Sequence, residues 1–345
     1  SDPTSCRNYV WCKGRKSIVL SCAQDLYFDS RSGICTSIND TFCIPGQMTK
    51  VPGGEHRGYL SPLSETFYQT RSEEYKVVCY FSSWAWLRPD QGSFVPENVD
   101  PALCTHIIYA FAILDPTKLE IRSPDTWTDL DNNFYQRILI LREANPNLRV
   151  LLGLGGWTDS AGDKYSRLVN NPDARARFVR HTVALLSAYG FDGLDLHWEY
   201  PVCWQIDCKR GPATDKQGFA ALVRELRQVF IQQPVPFLLS AAVSPARGII
   251  SRAYDIRTLS ANLDFFNVMS YDYHGFWEKK TGHISPLLYR ESDKYESQNT
   301  DFSINYLIQG GADPKKLVMG IPFYGQTFTL ADQSRNSLND EVVGP

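Results

Sequence analysis

The chain has 345 residues, more than one average domain and enough for a large core. Its 35 basic and 38 acidic side chains give a net charge of −3 with no basic run, which leaves no electrostatic footprint for nucleic acid or an anionic membrane. No apolar run approaches the ~18 residues that a membrane span needs.

Five of the nine cysteines fall in the first 43 residues: Cys6, Cys12, Cys22, Cys35 and Cys43. Such density in a segment too short for its own core predicts a disulfide framework, and with it a secretory compartment. C-x-x-C spacing and neighbouring histidines are missing, which argues against zinc. Asn39-Asp40-Thr41 is a glycosylation sequon, in keeping with that compartment. Residues 44–74 carry Pro, Gly and mixed charge without periodicity and read as linker.

From Tyr75 the texture changes to apolar strands alternating with amphipathic helices. Strand runs recur as YKVVCYF, THIIYAFAIL, RVLLGLGG, FDGLDLHW, PFLLSAAV, LDFFNVMSY and KLVMGIPF. Between them, Val179, Val183 and Leu186 fall at i, i+4, i+7, and Phe219, Leu222, Leu226 and Val229 share one face. Strands alternating with helices imply parallel βα units. Continuously apolar strands favour a (β/α)8 TIM barrel over an open sheet. An eighth strand is not found before Pro345, so a fragment stopping short of closure is expected. Cys79 on the first strand and Cys104 before the second fall on parallel neighbours within reach of a disulfide, a buried free thiol being the other reading for Cys79. Cys203 and Cys208 are expected to close the loop after Pro201.

Polar and aromatic residues collect where the strands end: Tyr80 and Trp84, Phe111, Trp157, Glu199, Tyr271 with Asp272, and Tyr324. A barrel builds its active face there. Aromatic faces with a few acids suit a sugar polymer, because sugar rings stack while hydroxyls need hydrogen bonds. Any one of these rings alone reads better as core; the set does not. No cofactor or metal site is expected. GLGGWT lacks the third glycine of a dinucleotide fingerprint, and no pair of histidines has the H-E-x-x-H spacing.

The stretch FDGLDLHWEYP, residues 191–201, carries the chemistry. In an extended chain Asp195, His197 and Glu199 share one face. The stretch resembles the D-x-x-D-x-D-x-E signature, followed by Y-P, of family-eighteen glycoside hydrolases, the chitinases and chitinase-like proteins. Asp192, Asp195, Glu199, Tyr200 and Pro201 match, and His197 replaces the third aspartate. LGGW with Gly155, Gly156 and Trp157 resembles the family's third-strand motif. MSYDYHG with Met269, Tyr271 and Asp272 resembles the sixth, and MGIPFYGQTF with Tyr324 the seventh. GFWEKKTGHISPL with Trp277 resembles the loop after strand six. The resemblance covers nearly all of 75–345. Gln326 stands where the family usually has an arginine, and the family's small α+β insertion and last strand lie beyond the chain. Residues 1–43 resemble a peritrophin-type chitin-binding module missing its first cysteine, with Tyr9, Trp11 and Phe28 as sugar-contacting or packing aromatics.

These resemblances imply a secreted, arthropod-like protein that binds chitin or chito-oligosaccharides. They imply Glu199, Asp195, Asp192, Tyr271 and position 197 as catalytic, and Tyr80, Trp84, Phe111, Gly155, Gly156, Trp157, Tyr200, Met269, Asp272, Trp277 and Tyr324 as substrate-binding. They imply bridges Cys6–Cys43 and Cys22–Cys35, with Cys12 left over. In the family, the glutamate protonates the glycosidic oxygen and the substrate's N-acetyl oxygen attacks the anomeric carbon. The neighbouring aspartate accepts the acetamido N–H and opposes the developing cation. A neutral imidazole has one acceptor nitrogen and no negative charge. A weakened catalyst is therefore expected, with Asp195 hydrogen-bonded to His197 in partial compensation; a lectin-like pseudoenzyme is the alternative.

Overall fold

The computed structural model describes residues 7–13, 16–22, 26–29, 34–36 and 75–345. They divide into two compact units, residues 1–110 with 123–150, and residues 111–122 with 151–345.

The described residues of the small module form two antiparallel ribbons. β1 (Asn8–Lys13) pairs with β2 (Lys16–Ser21), and β3 (Tyr27–Asp29) with β4 (Ile34–Thr36). The Cys22–Cys35 disulfide is present. Cys6, Cys43 and the side chain of Cys12 lie outside the described residues, as does the side chain of Trp11. The Tyr9 and Phe28 rings stack at 4.1 Å and are 4 % and 9 % exposed, so the packing role left open for them is the one they fill.

Parallel strands make the main sheet. β5 (Val78–Ser82) pairs with β6 (His106–Leu114), whose end folds back on β7 (Ile121–Arg122). β8 (Arg149–Gly155), β9 (Gly193–His197), β10 (Leu238–Val243), β11 (Phe265–Val268) and β12 (Leu317–Met319) complete it. The order is β12-β11-β10-β9-β8-β6-β5, the succession that consecutive βα units produce. Among the described residues β12 pairs only with β11. β13 (Thr329–Leu330) and β14 (Val342–Gly344) form a separate ribbon.

Helices connect the strands: α1 (Phe134–Leu139), α2 (Leu141–Ala144), α3 (Lys164–Val169), α4 (Pro172–Tyr189), α5 (Thr214–Phe230), α6 (Arg247–Ala253), α7 (Ile256–Asn262) and α8 (Thr300–Gln309). α4 shows how local sequence sets the bounds. Asn171 caps the amides of Asp173 and Ala174, Pro172 opens the first turn, and Gly190 ends it at φ 85°. Its buried face is Phe178, Val179, Thr182 and Leu186, with Val183 only half-buried. On α5 Phe219, Leu222 and Leu226 of the expected face are buried, while Val229 is half-buried.

Each unit has its own aromatic packing. In the first, Phe81 lies 5.6 Å from Tyr109 and 6.4 Å from Phe134. There the Cys79–Cys104 disulfide ties β5 to the segment before β6. In the second, Trp198 stacks on Tyr165 at 5.5 Å and meets Phe219 edge-on at 6.2 Å.

Candidate active site

β9 carries the alternation expected of it. Leu194, Leu196 and Trp198 are buried in the apolar packing, while Asp195, His197 and Glu199 form a row on the other side. All three acid-row side chains are also buried. Asp195 Oδ1 accepts from Ser240 Oγ at 2.6 Å and from Asn267 Nδ2 at 3.0 Å, donors supplied by β10 and β11. His197 Nε2 lies 3.2 Å from Glu199 Oε1, within hydrogen-bond range. His197 Nδ1 lies 3.9 Å from Asp195 Oδ2, too far for a hydrogen bond, so the compensating bond expected between these two is not made. The edge-on ring of Phe111 packs against the imidazole at 4.9 Å.

Backbone contacts fix the row from below. The Gly156 amide donates to the His197 carbonyl at 2.8 Å. A Cβ on Gly155 would stand 2.3 Å from that same carbonyl, and Gly155 has φ 120°, so the strands approach this closely only with glycine there. The Glu199 amide donates to Ser160 Oγ at 2.8 Å. The peptide between Glu199 and Tyr200 is cis.

The loop after Pro201 is held from behind. Val202 and Ile206 adopt φ 66° and 71°, a region that costs β-branched residues on the order of 1–3 kcal/mol each. Buried Asp215 opposes that cost by accepting from Ser166 Oγ, Asn170 Nδ2, the Val202 amide and Trp204 Nε1. The expected Cys203–Cys208 disulfide closes the loop, and Gln205 Nε2 reaches the Trp157 carbonyl at 3.2 Å.

A cleft of 680 Å³ opens over Glu199. Trp157, Tyr200, Met269, Tyr271, Asp272 and Trp277 line it, with Gln326; so does a stretch around Arg247, which carries no motif in the sequence. Tyr324 donates to Asp272 Oδ2 at 2.9 Å and meets Tyr271 edge-on at 6.0 Å. Gln326 Nε2 lies 3.5 Å from Asp272 Oδ1, a weak contact where an arginine would pair with the carboxylate. Burial, then the charges of Glu199, Asp272 and Asp195, push the Tyr271 phenol well above its usual range. Burial and Glu199 do the same to Tyr200. Both rings therefore stay protonated.

Asp192 stands apart. It precedes β9, about 20 Å of extended chain before Glu199, and its carbonyl accepts from the Leu238 amide. Tyr80 and Trp84 are exposed at the end of β5 in the first unit. No group of three or more metal-ligating side chains exists among the described residues.

Residues 76–343 match the family Glycosyl hydrolases family 18. The chain belongs to glycosyl hydrolase family 18. Residues 1–43 match the Chitin binding Peritrophin-A domain, so this family-18 chain carries a chitin-binding module ahead of its barrel. It is 43 % identical to Probable chitinase 10 of Drosophila melanogaster over 358 aligned residues, covering 99 % of the chain but 16 % of that protein. It covers 54 % of Probable chitinase 2 of the same fly at 42 % identity. Among solved structures, catalytic domain 2 of the Ostrinia furnacalis Group II chitinase is 53 % identical, with TM-score 0.76, over 79 % of this chain and 70 % of that one. Human YKL-39, described as a pseudo-chitinase with retained chitooligosaccharide binding, is 34 % identical with TM-score 0.69, over 79 % and 72 %.

Proposed function

We propose that this family-18 chain is a secreted chitin-binding protein that hydrolyses β-1,4-linked N-acetylglucosamine polymer with impaired turnover. The observation that carries the reading is the buried row in which Glu199 is retained and His197 Nε2 sits 3.2 Å from its carboxyl group. Residues 1–43 serve as the chitin-binding module, 44–74 as linker, and 75–345 as the catalytic domain. Three disulfides among the described residues support secretion. No helix among the described residues is long and apolar enough to cross a membrane.

In this mechanism Glu199 gives its proton to the glycosidic oxygen as the bond to the anomeric carbon breaks. The substrate's acetamido oxygen attacks that carbon, forming an oxazolinium ion. Glu199, now a carboxylate, takes a proton from water as the water opens the ring, so configuration is retained. Tyr271, kept neutral by burial and nearby charge, is a standing donor for the acetamido group. Trp157 and Trp277 offer ring faces to sugars. His197 can accept one hydrogen bond but brings no negative charge to oppose the cation. Its contact with Glu199 also engages the acid that must reach the glycosidic oxygen.

The second reading is a lectin-like pseudoenzyme, favoured by His197, by the weak Gln326–Asp272 contact and by the binding-only description of human YKL-39. Chitohexaose cleavage by the wild type and by Glu199→Gln separates the two. Turnover that vanishes in Glu199→Gln, with binding kept, supports hydrolysis. Equal binding without turnover in either protein supports the lectin.

A further inference from the structure

Helix α1 is short, yet the two residues that flank it, Asn133 at its start and Ile140 at its end, both engage the small disulfide-rich module within the first unit. Ile140 packs against the module's buried cluster of Tyr9, Cys22, Phe28 and Cys35. Asn133 caps the helix at φ 58° and donates from Nδ2 to the Ser21 carbonyl at 3.0 Å. Beside it, buried Asn132 accepts from the Cys35 amide at 2.5 Å while donating to the Trp127 carbonyl at 2.9 Å. Its amide thus has one end on each partner.

Arg137 lies beneath this contact. It is buried, forms a two-pronged pair with Glu97 at 2.6 Å on each arm, and covers the Phe134 ring at 4.6 Å. Burial pushes the Tyr9 phenol up, with the charges of Arg137 and Glu97 both acting on it. The rings of Tyr9 and Phe28 stack on one another, and the cluster they belong to is packed against by Ile140 at the end of α1.

We propose that Tyr9 and Phe28 dock the chitin-binding module onto helix α1 through Asn132, Asn133 and Ile140, so that these two rings serve as an intramolecular joint and not as sugar-stacking platforms. The partner of this surface is the chain itself. Any sugar contact by the module then falls to its remaining surface.

The test uses the full chain with a protease site introduced within residues 44–74. Cys79 pairs with Cys104 and Cys203 with Cys208, so no barrel cysteine is left to tether the module covalently. After cleavage only the docking contacts hold the two pieces. The nicked wild type is expected to co-elute on gel filtration. Asn133→Gly with Ile140→Ser should weaken the association about tenfold or more, since one hydrogen bond and one apolar contact are lost. Asn133→Gly alone keeps the left-handed backbone and deletes only the amide, so it gives a milder loss in a fold that must remain intact by circular dichroism. Separation of the nicked wild type would overturn the proposal, and so would undiminished association in both variants. Excess chitohexaose should leave co-elution unchanged; release by sugar would return Tyr9 and Phe28 to carbohydrate binding. The first comparison is independent of the chitinase reading, so failure of either can be told from failure of the other.

Discussion

Replacing His197 by aspartate tests the chemistry most directly. The imidazole occupies a buried place between Asp195 and Glu199, 3.2 Å from the latter. A carboxylate there would face a developing oxocarbenium charge across a few ångströms. Two unit charges 4 Å apart interact by about 4 kcal/mol at an effective dielectric of about 20. With about half a unit of charge developed at the transition state, about 2 kcal/mol remains, or about thirtyfold in rate. The aspartate is smaller than the imidazole and gives up the edge contact with Phe111, so a melting curve must first show that His197→Asp is folded. The assay is kcat/KM on soluble chito-oligosaccharide, with Glu199→Gln added in the same background to abolish the gain. Flat turnover in a folded, sugar-binding His197→Asp protein would refute the electrostatic reasoning and move suspicion to Gln326. Wild-type hydrolysis equal to that of an intact family member would show that the imidazole does the aspartate's work.

Two further outcomes are expected. Trp157 is 48 % exposed and lines the cleft; Trp157→Ala should weaken chito-oligosaccharide binding by ~1–3 kcal/mol in calorimetry, whereas unchanged affinity would make the ring a packing residue. Asp129 is buried, and desolvation raises its carboxyl from 3.8 to about 6. The folded state therefore holds this proton more tightly than the unfolded state, and stability falls as pH rises from about 4 through about 6, by about 3 kcal/mol in all. Asp129→Asn should flatten that part of the urea-midpoint profile; parallel profiles would count against the assignment.

The parallel strands were legible because buried βα strands are apolar throughout, and the acid row was legible because strand residues alternate. Less legible were the groups that position the row. Ser240 and Asn267 are polar interruptions of LLSAAV and FFNVM, and such interruptions in buried strands mark side chains with a partner to hold. The mutual contact expected of Asp195 and His197 falls short because His197 Nδ1 stands 3.9 Å from Asp195 Oδ2, while the two donors from neighbouring strands hold the other oxygen, Oδ1. Asp215 and Ser160 act from residues distant in sequence, which no local pattern connects to Glu199. The docking face of α1 was hidden for another reason. Its contacts fall on residues just outside the six-residue helix, Asn132, Asn133 and Ile140, and two of the three are polar, so no periodic signal marks them.

The residues that clamp the loop behind Glu199 are different from those that would do chemistry on a sugar. Asp215, Ser160 and the Cys203–Cys208 bridge hold the main chain through contacts in which position 197 has no part. A substitution at 197 is therefore expected to leave these contacts behind the cleft in place. On the proposed reading of position 197, turnover and grip on the polymer rest on different residues, so the two traits can drift separately.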